Sequence, residues 1–190
     1  MALAAELSAK LPGSRLEGRN NRAAALAAEL VFVAVPFASQ AAVLGDIAAA
    51  TAGKIVVDTT VPLVPPRVSQ VALPPAGSAA AVARACLGPE VRLVTAFHNV
   101  AAAKLAADGD VGCDVFVFGD VEADRQTVID LIATMGIRAL HAGPLANSVA
   151  AEALTSVLIG INRRYKAAGG AGIRVTGLAG SADARGRQPA

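Results

Sequence analysis

The stretch Val91-Arg-Leu-Val-Thr-Ala-Phe-His-Asn-Val100 decides the fold. Val91, Leu93, Val94, Ala96 and Phe97 form a short, mostly apolar run with β-branched members. Such a run suits a strand buried on both faces of a parallel sheet. It breaks at His98-Asn99, two polar residues where the strand would end. Open α/β sheets bind ligands just outside the carboxyl ends of their strands, so this strand end is the first candidate for a functional site. A second polar loop, Gly143-Pro-Leu-Ala-Asn-Ser148, follows the last apolar run and opens a long helix. The two loops are expected to form the walls of one site.

Similar runs recur on either side. Leu30-Val-Phe-Val-Ala-Val35 reads as a buried strand ended by Pro36, and Lys54–Thr60 as a strand with a polar end. Asp114-Val-Phe-Val-Phe118 and Ile137-Arg-Ala-Leu-His141 complete the set, with Arg15–Gly18 a possible minor strand. Helices are expected over 2–10, over Arg22–Glu29 with Asn20 or Asn21 as cap, and from Ser39 to about Ala50. Further helices are expected from Ser78 to Leu87, over Ala101–Ala107, from an Asp120 cap to Met135, and from Ser148 to about Ala168. Val121, Val128, Leu131, Ile132 and Met135 keep helical spacing in the sixth of these. In the last helix one stripe carries Leu154, Val157, Leu158, Ile161 and Tyr165, and another carries Glu152, Thr155, Ile159, Asn162 and Lys166. At Thr155 and Glu152 the second stripe reads as a solvated face or as the source of a helix–helix hydrogen bond. Pro62 to Gly77, with five prolines, is a loop long enough to serve as a lid or binding loop. Alternating strands and helices define a Rossmann-like parallel α/β sheet with helices on both faces, plus a long C-terminal helix. The division expected is an incomplete nucleotide-binding domain over 1–145, a helical segment over 146–178 and a disordered tail over 179–190.

Composition excludes several functional classes. A hydrophobic fraction of 54% excludes a disordered chain, and 3% aromatics without Trp argue against base-stacking nucleic-acid modules. Seventeen basic and 15 acidic residues leave a net charge of +2, which implies neither a nucleic-acid nor a membrane partner. Cys86 and Cys113 stand apart in apolar surroundings, as small buried hydrophobes rather than a disulfide or a metal pair. Apolar stretches are broken by charge, as at Asp46 and Glu152, and no signal peptide is evident, so a cytoplasmic protein is expected.

Several segments resemble the NADPH-dependent F420 reductase family. They are Val31–Phe37, Gly53–Asp58, Val94–Asn99, Val117–Asp120, Ala142–Leu145, Glu152–Thr155, Asn162–Lys166 and Gly172–Thr176, the resemblance covering roughly 15–178. It implies hydride transfer between NADP(H) and the deazaflavin coenzyme F420 or a related acceptor, with no catalytic side chain required. By the same resemblance His98 and Thr155 line the deazaflavin pocket. Val35, Pro36 and Phe37 lie beside the nicotinamide of NADP, and Gly172 and Ile173 belong to a closing segment. A homodimer follows by analogy. Val149 and Ala153 stand where some members carry Arg and Ser, which keeps other acceptors open.

No G-x-G-x-x-G occurs in the 190 residues, although a dinucleotide fold needs that turn so that backbone can approach the pyrophosphate. The chain is similar to the family with its first strand–helix–strand removed. Weak NADP binding by these residues and an exposed edge on the strand at 30–35 are the expectations. The alternative function is a non-catalytic α/β remnant or interaction module.

Overall fold

A computed structural model describes residues 2–11, 13–107 and 110–178, so the expected tail over 179–190 lies outside the described residues. Helix α1 (Ala2–Lys10) precedes α2 (Asn21–Ala27), which Asn20 caps by accepting the Ala23 N–H at 2.8 Å. Strand β1 (Leu30–Val33) leads to α3 (Phe37–Ile47), extended by one tight turn over Ala48–Ala50. Next come β2 (Ile55–Asp58), α4 (Ala79–Leu87), β3 (Arg92–Thr95), α5 (Ala102–Leu105) and β4 (Val115–Gly119). Helix α6 (Glu122–Thr134), β5 (Ala139–His141) and α7 (Ser148–Tyr165) complete the order.

The five strands form one sheet in chain order, β1-β2-β3-β4-β5. Side chains alternate across it, as the strand repeat requires. Val56 and Leu93 join the core under α2, α3 and α4, whereas Ile55, Val57 and Val94 join the core under α6 through Val128 and Ile132. This is the expected Rossmann-like sheet covered on both faces. In one respect it departs from the expected parallel sheet: β3 and β4 pair antiparallel, with Val94 opposite Gly119 and Thr95 opposite Phe118. The reason lies in the connection. A parallel return needs a crossover, usually a helix that travels back along the sheet. Here the link carries only the four-residue α5, so β4 begins at the edge where β3 ended. The same edge therefore collects the carboxyl ends of β1, β2 and β3 and the amino ends of β4 and β5. Strand β1 pairs only with β2 among the described residues, leaving the exposed edge that was expected.

Several local expectations are corrected. Residues 15–18 are not a strand. Ser78 does cap α4, accepting from the Ala81 N–H at 2.9 Å, but Ser39 does not cap α3, which starts two residues earlier behind Pro36. Asp120 does not cap α6; its carboxylate instead accepts the Leu145 N–H at 3.0 Å. Of the apolar residues spaced along α6, only Val128 and Ile132 are buried, while Val121, Leu131 and Met135 are exposed. Helix α7 stops at Tyr165, where Lys166 turns left-handed (φ 51°). Its apolar stripe is only partly covered, Leu158 being buried and Val157, Ile161 and Tyr165 exposed. Glu152 is buried and makes the helix–helix contact that was one of its two expected roles. The segment Leu145–Tyr165, 21 residues of mean hydropathy 1.3, is also long and apolar enough to cross a membrane by length and composition, which no stretch was expected to be. The long loop 62–77 runs to the far end of α7, where Arg163 donates to Ser69 Oγ at 3.4 Å.

Candidate functional site

The site is built from the end of β3. The Ala96 N–H donates to Asp58 O at 3.2 Å, prolonging the β2–β3 ladder by one rung. Phe97 then turns to φ 66°, a left-handed conformation that costs a bulky side chain about 1–3 kcal/mol and gathers at functional sites. Its ring packs edge-on against Phe32, centroids 6.2 Å apart. The turn closes with Val100 N–H donating to Phe97 O at 3.1 Å, and it carries His98 and Asn99 inward.

Both are buried, His98 to 4% exposure and Asn99 to 2%. Neither fits the ordinary picture of a loop residue. The His98 ring rests near Phe118, and burial pulls its pKa down to about 4, so the imidazole is neutral near pH 7. Asn99 Nδ2 donates to Asp114 O at 2.8 Å. His98 Nδ1 and Asn99 Oδ1 have no protein partner. Buried polar atoms are nearly always paired; among the described residues these two and Gln40 Oε1 are the buried side-chain atoms without a partner. Thr155 Oγ1 on α7 reaches His98 O at 2.6 Å and Ala151 O at 3.0 Å, tying the helix to the strand end.

Together these residues wall a cavity of about 90 Å³. Val100, Ala101, Leu158, Ile159, Asn162, Gly170 and Ala171 complete it. Of the residues named from sequence, His98 and Thr155 therefore meet. Gly172 and Ile173 lie just beyond the cavity wall: Gly172 rests on Cys113, and Ile173 O accepts the Asp114 N–H at 2.7 Å. Val35 lines a separate groove of about 290 Å³ along the β1 edge, with Leu30, Phe32, Val43 and Ile47. Pro36 and Phe37 open α3, whose first turn no side chain caps. The loop 143–148 is not a wall of the cavity, contrary to expectation. It starts α7, and its Ser148 hydroxyl accepts from Thr95 Oγ1 at 3.0 Å and donates to Glu152 Oε1 at 2.9 Å.

Behind the cavity runs a buried polar web that sequence reasoning missed. Glu152 accepts the Ala79 N–H at 2.6 Å and the Ala80 N–H at 3.1 Å, closing the amino end of α4. Gln40 donates to Asp58 Oδ2 at 2.5 Å and to Ala79 O at 3.1 Å. Asp58 Oδ1 accepts from the Thr60 hydroxyl and N–H, at 2.6 and 3.1 Å. Burial raises the Asp58 pKa; the bonds from Thr60 and Gln40 oppose that rise, and the charge of Glu152 adds to it. Asn99 was flagged with His98 as a polar strand end, though without a role. Gln40 and Glu152 carry no local signal.

A Rossmann-type sheet with a cavity at a strand end, lined by His98, Asn99 and Thr155, has the architecture of proteins that bind small ligands outside their strand ends. Comparison narrows the class. A family described as NADP oxidoreductase, coenzyme F420-dependent, matches residues 2–62. The F420-dependent NADP reductase of Methanocaldococcus jannaschii is 36% identical over 166 residues, which are 85% of this chain and 74% of that protein. That of Methanothermobacter marburgensis is 32% identical over 174 residues, covering 86% and 75%. A crystal structure from Arthrobacter sp. FB24, described provisionally as an F420-dependent NADP-reductase, superposes with a TM-score of 0.71. It is 26% identical and covers 83% of this chain and 73% of that one. The chain belongs to the F420-dependent NADP reductase family.

Proposed function

We propose that the chain transfers a hydride between NADP(H) and coenzyme F420, the acceptor resting at the cavity beside His98. The observation that carries this reading is the strand-end cavity lined by His98, Asn99 and Thr155 in a chain of this family. The cavity is smaller than the roughly 300–1,000 Å³ of pockets that enclose a drug-sized ligand. At about 90 Å³ it fits the polar rim of a planar ring and not a whole tricycle. The two cofactors supply the hydride chemistry when bound.

The protein's part is placement and polarity. Reacting atoms must be held at roughly 3–3.5 Å with water kept out. Leu158, Ile159 and Val100 give the cavity an apolar lining, and Thr155 locks α7 to the backbone of His98. His98, held neutral by burial, offers a hydrogen bond and no charge. A proton donor or acceptor in catalysis works best with a pKa near the operating pH, so His98 positions the acceptor and does not shuttle a proton. In this reading residues 1–145 hold the nicotinamide side, with Val35, Pro36 and Phe37 at the end of β1. Residues 146–178 supply the acceptor wall, Gly172 and Ile173 holding its outer rim.

His98→Ala and Thr155→Ala are each expected to slow hydride transfer about three- to tenfold, the worth of one neutral hydrogen bond. NADPH affinity, expected to be weak in these residues for want of a Gly-rich turn, should stay unchanged. Stopped-flow transfer from NADPH to F420, with NADPH titrated separately, checks both. Wild-type rates in the two variants would move the acceptor away from this cavity.

A further inference from the structure

The stretch after α7 is held down more firmly than its lack of regular structure implies. Gly170 and Ala171 line the cavity, and the chain passes on over the beginning of β4. A side chain could not fit beneath it: a Cβ on Gly170 would stand 2.5 Å from that of Ala101, and one on Gly172 2.5 Å from that of Cys113. Ala101 is itself a cavity residue, so the depth at which this segment lies helps set the cavity's width.

One buried residue controls that depth, and it takes part in five hydrogen bonds. Asp114, 1% exposed, donates its N–H to Ile173 O at 2.7 Å and accepts the Val175 N–H on Oδ2 at 2.6 Å. Its carbonyl accepts from Asn99 at 2.8 Å. Its carboxylate takes the Arg138 fork, Nε at 2.7 Å on Oδ1 and a terminal nitrogen at 2.6 Å on Oδ2. That terminal nitrogen also donates to Val175 O at 2.9 Å, so Arg138 grips the segment directly. The antiparallel turn of the sheet is what brings Asp114, before β4, and Arg138, before β5, to the edge where β3 delivers His98 and Asn99.

We propose that Asp114 and Arg138 are positioning residues for the acceptor, the pair pinning residues 170–175 so that the cavity wall opposite Thr155 is in place before the ligand arrives. The assignment rests on the reading of the cavity as the F420 site. Pre-ordering a wall removes an entropic cost from binding, so its loss falls on the acceptor and spares the other cofactor. The planar guanidinium fork is matched to a carboxylate; a lysine ammonium can meet the carboxylate but cannot reproduce the fork and the Val175 O contact together.

The test uses the full chain and three variants, Asp114→Asn, Arg138→Ala and Arg138→Lys, with F420 binding followed by its own fluorescence. Arg138→Ala and Asp114→Asn are expected to weaken F420 binding about tenfold, and Arg138→Lys by less, with NADPH affinity unchanged in all three. In steady state the KM for F420 should rise while the KM for NADPH does not. Amide exchange should quicken over 170–176 and leave β1 and β2 alone. If Arg138→Ala does not fold, Asp114→Asn and Arg138→Lys decide, because both keep a polar side chain in place. Wild-type F420 affinity in those variants, with exchange over 170–176 quickened, would overturn the assignment alone. A wild-type chain that does not bind F420 would overturn the reading of the cavity and this assignment with it.

Discussion

Glu152→Ala is expected to destabilise the fold by about 3–5 kcal/mol, because it orphans several buried donors at once. Helix α4 begins with free N–H groups, as every helix does. Ser78 takes the one on Ala81, and Glu152, 1% exposed and 73 residues further along the chain, takes those on Ala79 and Ala80. Alanine would leave both amides and the Ser148 hydroxyl without an acceptor where water does not reach. Glu152→Gln keeps the shape and one carbonyl acceptor, so it should cost about 1–3 kcal/mol. Urea unfolding of the three proteins near neutral pH measures the difference. For a chain of this size the alanine variant should melt on the order of 10 °C lower. A loss under about 1 kcal/mol in the alanine variant would mean that α7 is not needed to close α4.

Acid should weaken the wild-type protein well above the ordinary carboxylate range, and His98 is the cause. Its pKa is about 4 in the fold against 6.5 for an ordinary histidine, burial being the reason. Between those values the unfolded chain binds a proton that the folded chain refuses. Stability therefore rises with pH across that window and is lost as pH falls through it, by about 3 kcal/mol in all. Asp58 acts in the opposite sense. Its raised pKa makes the folded chain the better proton binder just above the ordinary carboxylate range, which softens the final part of the loss. Asp114 joins in lower down. Burial alone would raise its pKa, but the Arg138 bonds, the Val175 N–H and the charges of Arg138 and Arg174 bring it below the usual range. The stability it contributes disappears only as pH drops below that range. Denaturant midpoints for wild type and His98→Asn, taken at about pH 7 and about pH 5, isolate the histidine. Parallel losses in the two proteins would show that His98 is not held neutral.

How much of this was legible in the sequence depended on how local the cause was. Strands β1 to β5 were readable because each is a short apolar run closed by Pro, Gly or a polar pair. Asn20 and Ser78 were readable as caps because a capping side chain bonds an amide three residues on. The direction of β4 was not readable, since a strand's alternation looks the same run either way. Nor was the inward face of α7: Glu152 is buried because the amino end of α4 meets it, and nothing near Glu152 announces that. His98 and Thr155 came from resemblance to a family and meet at one cavity. Asn99 was marked with His98 as a polar strand end but was given no role of its own. Arg138 stood in a stretch read as a plain strand, and Asp114 gains its meaning only when residues 173–175 arrive to be held.

Because the sheet is ordered β1-β2-β3-β4-β5, every strand lies beside its neighbour in the chain. Closing such a sheet requires only moderate loops, whereas Glu152 must find Ala79 across 73 residues and Val175 must find Asp114 across 61. Contacts that span more chain cost more loop entropy before they contribute, so they tend to form late. The sheet should therefore gain protection first in refolding, and α7 with the segment after it should dock last. Pulsed amide labelling would show strands β1 to β3 protected ahead of Val175, and simultaneous protection would contradict that order. The last event to occur in folding would then be the one that completes the cavity, so the protein would pass through a state with a finished sheet and no cavity at its edge.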